Sequence, residues 1–117
     1  MTEDEFYQCK VKPILQKAGV FYTRIDLPTV PDIYVSFNGR VMWIEMKVVN
    51  KKMSLIKPDW QPGQLAFFKK HEIMGGGVLC VALNYFGETY FLPTKEFYKK
   101  EELICQKTAF FRKLMNP

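Results

Sequence analysis

The chain has 117 residues, of which 48% are hydrophobic and 15% aromatic. This length fits one compact domain over residues 1–117, and the apolar content is ample for a packed core, which argues against intrinsic disorder. Seventeen Lys and Arg against twelve Asp and Glu give a net charge of +5, which favours a polyanionic partner such as nucleic acid.

The cysteines and the N-terminus indicate the compartment. Cys9, Cys80 and Cys105 are odd in number and lack the close spacing of zinc sites or small disulfide scaffolds, so we interpret them as reduced packing residues. The first residues are acidic where a signal peptide would be basic, and no apolar run approaches the roughly 20 residues that span a bilayer. We therefore expect a cytoplasmic protein without a membrane partner.

The first predicted element is a helix. Thr2 to Glu5 has the S/T-x-x-E form of a capping box, and apolar side chains recur at helical spacing from Tyr7 to Ala18. Pro13 lies inside this pattern, where a proline removes one backbone hydrogen bond and clashes with the preceding turn. The pattern predicts a helix with a kink or a late start.

A β-hairpin is the strongest local prediction. After a predicted strand over Val20–Ile25, two β-rich segments, Ile33–Phe37 and Arg40–Val49, are joined by Asn38-Gly39. This dipeptide tolerates the positive φ angles of a two-residue type I′ turn. With such a turn, the numbers of facing residues sum to 77 throughout the hairpin.

The second half of the chain alternates helices and strands. Between the hairpin and the next helix lies a polar, basic loop over Lys51–Trp60. The further predicted elements are a helix over Gly63–His71, strands over Val78–Leu83 and Thr89–Leu92, a helix from Thr94 to about Leu103, and a helix over Thr108–Met115. The expected fold class is α/β, with a mixed β-sheet whose central hairpin is flanked by the first helix and the Gly63–His71 helix.

The hairpin carries the candidate chemistry. Its register places Asp32 opposite Glu45, and strand alternation puts Lys47 on the same face as Glu45. Carboxylates opposed at about 4.5–5.5 Å between Cβ atoms repel each other, so a cation is needed to offset the repulsion. Such oxygen ligands suit Mg²⁺ or Mn²⁺, which proteins hold with one or two carboxylates plus phosphate oxygens. Lys47 would stabilise charge that develops on a phosphate during hydrolysis.

These residues resemble a known nuclease motif. Pro31-Asp32, twelve intervening residues and then Glu45-Met46-Lys47 is similar to the PD-(D/E)xK pattern. The surroundings, over roughly residues 3–92, resemble the virus-type replication-repair (VRR-NUC) nucleases and the Holliday-junction resolvase-like phage nucleases. The resemblance implies a restriction-endonuclease-like core with a central catalytic hairpin. It also implies a metal-dependent DNA endonuclease, structure-selective for junction, flap or single-stranded DNA, in replication, recombination or repair.

The resemblance implies further site residues and an assembly. Gln64 corresponds to the glutamine that many members place near the metal or the scissile phosphate. Many members also have a first-helix glutamate in the metal shell, for which Glu3, Asp4 and Glu5 are candidates, and helical phase favours Glu3 or Asp4. Resolvases pair two active sites, so a junction substrate would require a homodimer. Stand-alone phage members act in the host cytoplasm.

Several residues have two interpretations. Gln64 fits an exposed helix surface as well as the site, and His71 fits a surface cluster better than a general base. Trp43 and Trp60 fit core or rim packing better than base stacking. Five lysines that follow the hairpin are candidate phosphate contacts, although charge runs are more often solvated: Lys51, Lys52, Lys57, Lys69 and Lys70. The alternative functions are a non-catalytic nucleic-acid-binding module and a protein-interaction subunit on the same scaffold.

Overall fold

The computed structural model describes residues 1–25, 27, 30–73 and 77–106, without the side chains of residues 73 and 104–106. No helix in these stretches is both long and apolar enough to cross a bilayer. The helical elements are α1 (Glu3–Phe6), a π-helical turn (Tyr7–Val11), α2 (Lys12–Ala18), α3 (Gln64–Ile73) and α4 (Lys100–Gln106). The strands are β1 (Phe21–Arg24), β2 (Ile33–Phe37), β3 (Arg40–Val49), β4 (Leu55–Ile56), β5 (Val78–Tyr85), β6 (Glu88–Leu92) and β7 (Tyr98–Lys99).

Five of the strands form one mixed sheet in the order β1-β2-β3-β5-β6. The strands β1, β2 and β3 pair antiparallel, β3 pairs parallel with β5, and β5 pairs antiparallel with β6. Parallel neighbours need a long crossover, and the segment that contains α3 provides it. The predicted α/β class and the central position of the hairpin are therefore confirmed.

The hairpin has the predicted register. Both turn residues have positive φ, 47° at Asn38 and 76° at Gly39, as a type I′ turn requires. The numbers of facing residues sum to 77 along the whole ladder, which ends where Ile33 faces Ile44. The two-residue turn thus decides which side chains of the two strands stand opposite each other.

Alternation along β3 divides the apolar core between the two faces of the sheet. Met42, Ile44 and Met46 are buried in a cluster with side chains of the N-terminal helical segment, among them Phe6 and Leu15. The opposite face holds a second cluster, formed by Val49, Ile56, Val81, Leu83, Leu92, Tyr98 and Leu103. Glu45 and Lys47 alternate along β3 with the residues of the first cluster, so their side chains point to the face of the sheet that carries the second cluster.

The N-terminal helix starts at its predicted cap and not late. The Oγ1 atom of Thr2 accepts a 3.1 Å hydrogen bond from the backbone N–H of Glu5. Ahead of Pro13 the chain forms a π-helical turn, in which the N–H of Lys12 reaches back five residues to the carbonyl of Tyr7. A widened turn relieves the crowding that a proline ring causes in an α-helix, so the helix continues through Pro13.

Three predictions about local structure were wrong. The basic loop contains the short strand β4, which pairs with β7. The helix predicted from Thr94 begins only at Lys100, because Tyr98 enters that pairing and buries its ring, while its hydroxyl donates to the carbonyl of Pro93. Cys9 is exposed and is not a packing residue, whereas Cys80 is buried as expected. The helix predicted over residues 108–115 lies outside the described residues.

Candidate active site

Asp32 connects three strands just before β2 begins. Its carboxylate Oδ2 accepts a 2.7 Å hydrogen bond from the backbone N–H of Met46 on β3. Its carbonyl oxygen accepts another, also 2.7 Å long, from the N–H of Ile25 after β1. The first contact holds the Asp32 carboxylate against β3 and the second holds its backbone near the end of β1, although the β2–β3 ladder has already ended at Ile33.

Glu45 is a nearly buried carboxylate, with only 5% of the residue exposed. Its Oε2 accepts a 2.9 Å hydrogen bond from Nε2 of Gln64 and lies 3.4 Å from Nζ of Lys47. Its Oε1 is buried and finds no hydrogen-bond donor in the described part of the chain. Burial and then the negative charge of Asp32 raise the pKa of Glu45 to about 8. This acid therefore needs a proton or a cation.

Lys47 is held by groups from a loop and a helix. Its Nζ donates a 2.8 Å hydrogen bond to the carbonyl of Asp59 and a 3.1 Å hydrogen bond to Oε1 of Gln64. The same atom lies 4.7 Å from the centre of the Trp60 ring. The carboxylate of Glu45 forms an ion pair with the same ammonium, so these contacts together fix its position.

Gln64 links the acid to the amine. It is the first residue of α3, and its amide donates to Glu45 while its Oε1 accepts from Lys47 and from the N–H of Gln61. A side-chain amide carries both donors and an acceptor, so one residue can serve a carboxylate and an ammonium together. The structure thus brings Gln64 into the same cluster as Asp32.

Among the first-helix acids, Glu3 is the one that adjoins this cluster. Asp4 forms an ion pair with Arg24, and the carboxylate of Glu5 accepts a hydrogen bond from the hydroxyl of Thr2. Although much of Glu3 is exposed, burial of its carboxyl and then the charge of Asp32 raise its pKa. Asp4 and Glu5 therefore have other partners, and Glu3 is the first-helix acid that lies next to Asp32.

The donor set fits a hard divalent cation. Asp32 and Glu45 supply adjacent carboxylates, and the Oε1 atom of Glu45 is a buried acceptor to which no described residue donates a hydrogen bond. Within the described stretches, no three His, Cys, Asp or Glu side chains form a complete metal-binding group. A complete group is not required, since Mg²⁺ is commonly held by one or two carboxylates together with waters and phosphate oxygens.

No hydrogen bond or ion pair between described residues joins the five candidate lysines or His71 to this cluster. All five candidate lysines are exposed: Lys51, Lys52, Lys57, Lys69 and Lys70. His71 meets the ring of Trp43 edge-on at 6.0 Å, and Trp43 also meets Tyr34. The sequence interpretation missed the position of Trp60 over Lys47 and the carbonyl of Asp59, because both contacts depend on how the loop folds back over β3.

Comparison with known proteins gives the fold. No protein-family model matches the sequence, and no curated protein matches it. Solved structures do match, among them Hjc, a Holliday junction resolvase from the archaeal hyperthermophile Archaeoglobus fulgidus. The two structures superpose with a TM-score of 0.67 over 94% of this chain and 95% of that chain, at 16% sequence identity. The likeness confirms the expected restriction-endonuclease-like arrangement of a mixed five-stranded sheet flanked by helices.

Proposed function

We propose that this protein is a metal-dependent DNA endonuclease of the PD-(D/E)xK type. One observation carries the proposal: the buried Glu45 carboxylate adjoins Asp32 and the Lys47 ammonium, which Gln64 ties to it, and one of its oxygens receives no hydrogen bond from any described residue. A carboxylate that has only a structural role is seldom buried beside a second carboxylate. Catalytic carboxylates are commonly buried in this way. Phosphodiester hydrolysis is the reaction class that uses all of these groups.

Asp32 and Glu45 are the residues that would hold Mg²⁺ or Mn²⁺. Such an ion lowers the pKa of a bound water and neutralises charge on the phosphate. Glu45 would bind it as the carboxylate, and Gln64 would keep the Oε2 atom of Glu45 in place. Lys47 supplies a positive charge already fixed by the Asp59 carbonyl, so no reorganisation is needed when negative charge grows on the phosphate.

The fold supports DNA as the partner. Hjc, which shares the fold, is a Holliday junction resolvase, and the net charge of +5 suits a polyanionic substrate. We propose a structured substrate, namely a junction, a flap or single-stranded DNA, in replication, recombination or repair, as for the VRR-NUC nucleases. The exposed lysines of the loop and of α3 would contact phosphates. A homodimer is the assembly proposed for a junction substrate, because a symmetric junction is cut at two positions.

A panel of DNA forms tests the proposal. The purified chain is incubated with linear duplex, flapped, single-stranded and four-way DNA in Mg²⁺ or Mn²⁺. We expect cleavage of at least one form, abolished by Asp32→Ala and by Lys47→Ala, while circular dichroism shows that both variants fold. Lys17→Ala, at an exposed lysine of α2, is the matched control and should cleave like the wild type.

Two results would reject the assignment. Unchanged cleavage by either the Asp32 or the Lys47 variant would show that these residues are not catalytic. Metal-independent DNA binding without turnover of any form would favour the non-catalytic nucleic-acid-binding module instead.

A further inference from the structure

A cleft of about 390 Å³ lies where β5 turns into β6, next to α4. Its volume falls within the range of about 300–1,000 Å³ that is usual for ligand pockets. Three aromatic side chains, two lysines and one leucine line it: Tyr85, Phe86, Tyr90, Lys52, Lys100 and Leu103. Tyr85, Tyr90 and Leu103 also pack in the second apolar cluster, whereas the exposed Phe86 ring and the two lysines have no part in it or in the candidate active site.

The cleft offers the chemistry that a nucleotide needs. Phe86 is 49% exposed and meets Tyr85 edge-on, with ring centres 4.9 Å apart, while Tyr85 and Tyr90 are half-buried. Lys52 and Lys100 are exposed at the same cleft, and none of its described lining residues is acidic. Aromatic rings stack on bases of any sequence, and ammonium groups pair with phosphates.

The cleft lies on the same sheet face as the candidate active site. Lys47 pairs with Leu83 on β5, and Leu83 pairs with Tyr90 on β6. The backbones of Lys47 and Tyr90 are therefore two strand spacings apart, about 10 Å, with side chains on one face. Leu83 lies between them and is fully buried, so a DNA strand must pass around this covered part of the face, which takes at least about three nucleotides at B-form spacing.

The loop between β3 and α3 contributes to both the cleft and the candidate active site. Near one end it contributes Lys52 to the cleft, and near the other end the carbonyl of Asp59 receives the hydrogen bond from Lys47. A strand whose phosphate lies at Lys47 can thus follow this loop to the cleft. The same segment would contact the strand at both points.

We propose that this cleft binds one unstacked nucleotide of a DNA single strand, with the base on the aromatic rings and a phosphate between Lys52 and Lys100. The inference rests on the proposed function, because the strand is the one that the candidate active site would cut. It predicts a preference for substrates with an unpaired stretch beside the scissile bond over continuous duplex. An unpaired base is needed because stacking in the duplex hides both of its faces.

The aromatic part is tested by binding of a fluorescent oligothymidylate to the whole chain in EDTA, where metal-dependent cleavage is suppressed. Phe86 has a φ of 51°, which asparagine tolerates better than phenylalanine, so Phe86→Asn removes the ring without straining the turn. We expect the affinity to fall about fivefold or more. The matched control is Phe21→Thr, which removes a ring that is 64% exposed on β1 and should leave the affinity unchanged.

The phosphate part is tested by the salt dependence of the same binding. Lys52→Gln with Lys100→Gln should flatten the slope of log K against log salt by about 0.7 for each phosphate that the protein no longer neutralises. Lys10→Gln with Lys17→Gln removes the same charge from exposed positions of the N-terminal helix and should keep the wild-type slope. Equal slopes for the two double variants would overturn the proposal, as would wild-type affinity in Phe86→Asn.

The outcomes separate this inference from the proposed function. Metal-dependent cleavage together with unchanged oligothymidylate binding by Phe86→Asn would reject the cleft and retain the nuclease. Binding that depends on Phe86 without cleavage of any DNA form would retain the cleft and reject the nuclease.

Discussion

The Nζ atom of Lys47 lies 4.7 Å from the centre of the Trp60 ring, a cation–π contact. The ring is itself fixed, because its Nε1 donates a 3.0 Å hydrogen bond to the carbonyl of Lys95 and the ring packs edge-on with Phe68. Lys47 thus has an aromatic wall in addition to its carbonyl and amide acceptors. The Trp60 ring thus limits where the Lys47 ammonium can move and keeps it close to Glu45.

Trp60 should act as a positioning residue for Lys47. Trp60→Leu should lower kcat by about 2- to 30-fold with little change in KM, the effect expected when a cation–π attraction is removed. Trp60→Phe keeps a π face and should restore most of kcat. Steady-state kinetics on the preferred DNA form measures both parameters. Equal kcat values for Trp60→Leu and the wild type would show that the ring does not position the amine.

The first helix should contribute one acid to metal binding. Glu3→Gln should weaken Mn²⁺ binding roughly tenfold, the scale typical for residues that support metal ligands. Asp4→Asn and Glu5→Gln are the controls, since those carboxylates serve Arg24 and Thr2. Isothermal titration calorimetry compares the three variants. An equal drop in affinity in Asp4→Asn would indicate a general charge effect.

The metal-free protein should be less stable at pH 8 than at pH 5 on account of Glu45. Its pKa in the fold is raised from 4.5 to about 8. Between these values the folded state holds a proton that the unfolded state releases, so the stability is full below pH 4.5 and is lost as the pH rises towards 8. The decrease should be on the order of a few kcal/mol.

Glu45→Gln supplies the comparison for this pH effect. Its side chain cannot ionise, so its denaturant-derived free energy of unfolding in EDTA should not fall over the same pH interval. Parallel pH profiles for the variant and the wild type would show that Glu45 does not titrate within the fold as described.

The hairpin turn should tolerate only residues that accept positive φ. Gly39 has a φ of 76°, and a Cβ there would meet no atom within 4 Å, so Gly39→Ala introduces backbone strain alone. We expect the free energy of unfolding to fall by about 1–2 kcal/mol. Asn38→Gly, at a φ of 47°, should change it by less than about 0.5 kcal/mol. A neutral Gly39→Ala would mean that the turn is not of this type in solution.

The hairpin was predictable because its determinants are local. A two-residue Asn-Gly turn sets which residues face each other, and strand alternation then sets the face of every side chain. The positions of Glu45 and Lys47 on the face opposite Met46 follow from these two rules. The central strand of the fold could therefore be placed from the sequence alone.

The rest of the cluster depends on contacts between distant segments. The π-helical turn ahead of Pro13 changes the helical phase on which the choice between Glu3 and Asp4 depended. The pairing of β4 with β7 joins segments that are far apart in the chain, and the contact of Trp60 with Lys47 requires the intervening loop to fold back. No local pattern indicates such contacts.

Binding of Mn²⁺ by calorimetry tests the central claim most directly. The wild type should bind one ion per chain at the Asp32–Glu45 pair, and Asp32→Asn should lose that site. Asp59→Asn, which keeps the carbonyl that Lys47 uses, should bind like the wild type. Mn²⁺ binding that is equally tight in Asp32→Asn, or absent from the wild type, would contradict a metal centre on this hairpin.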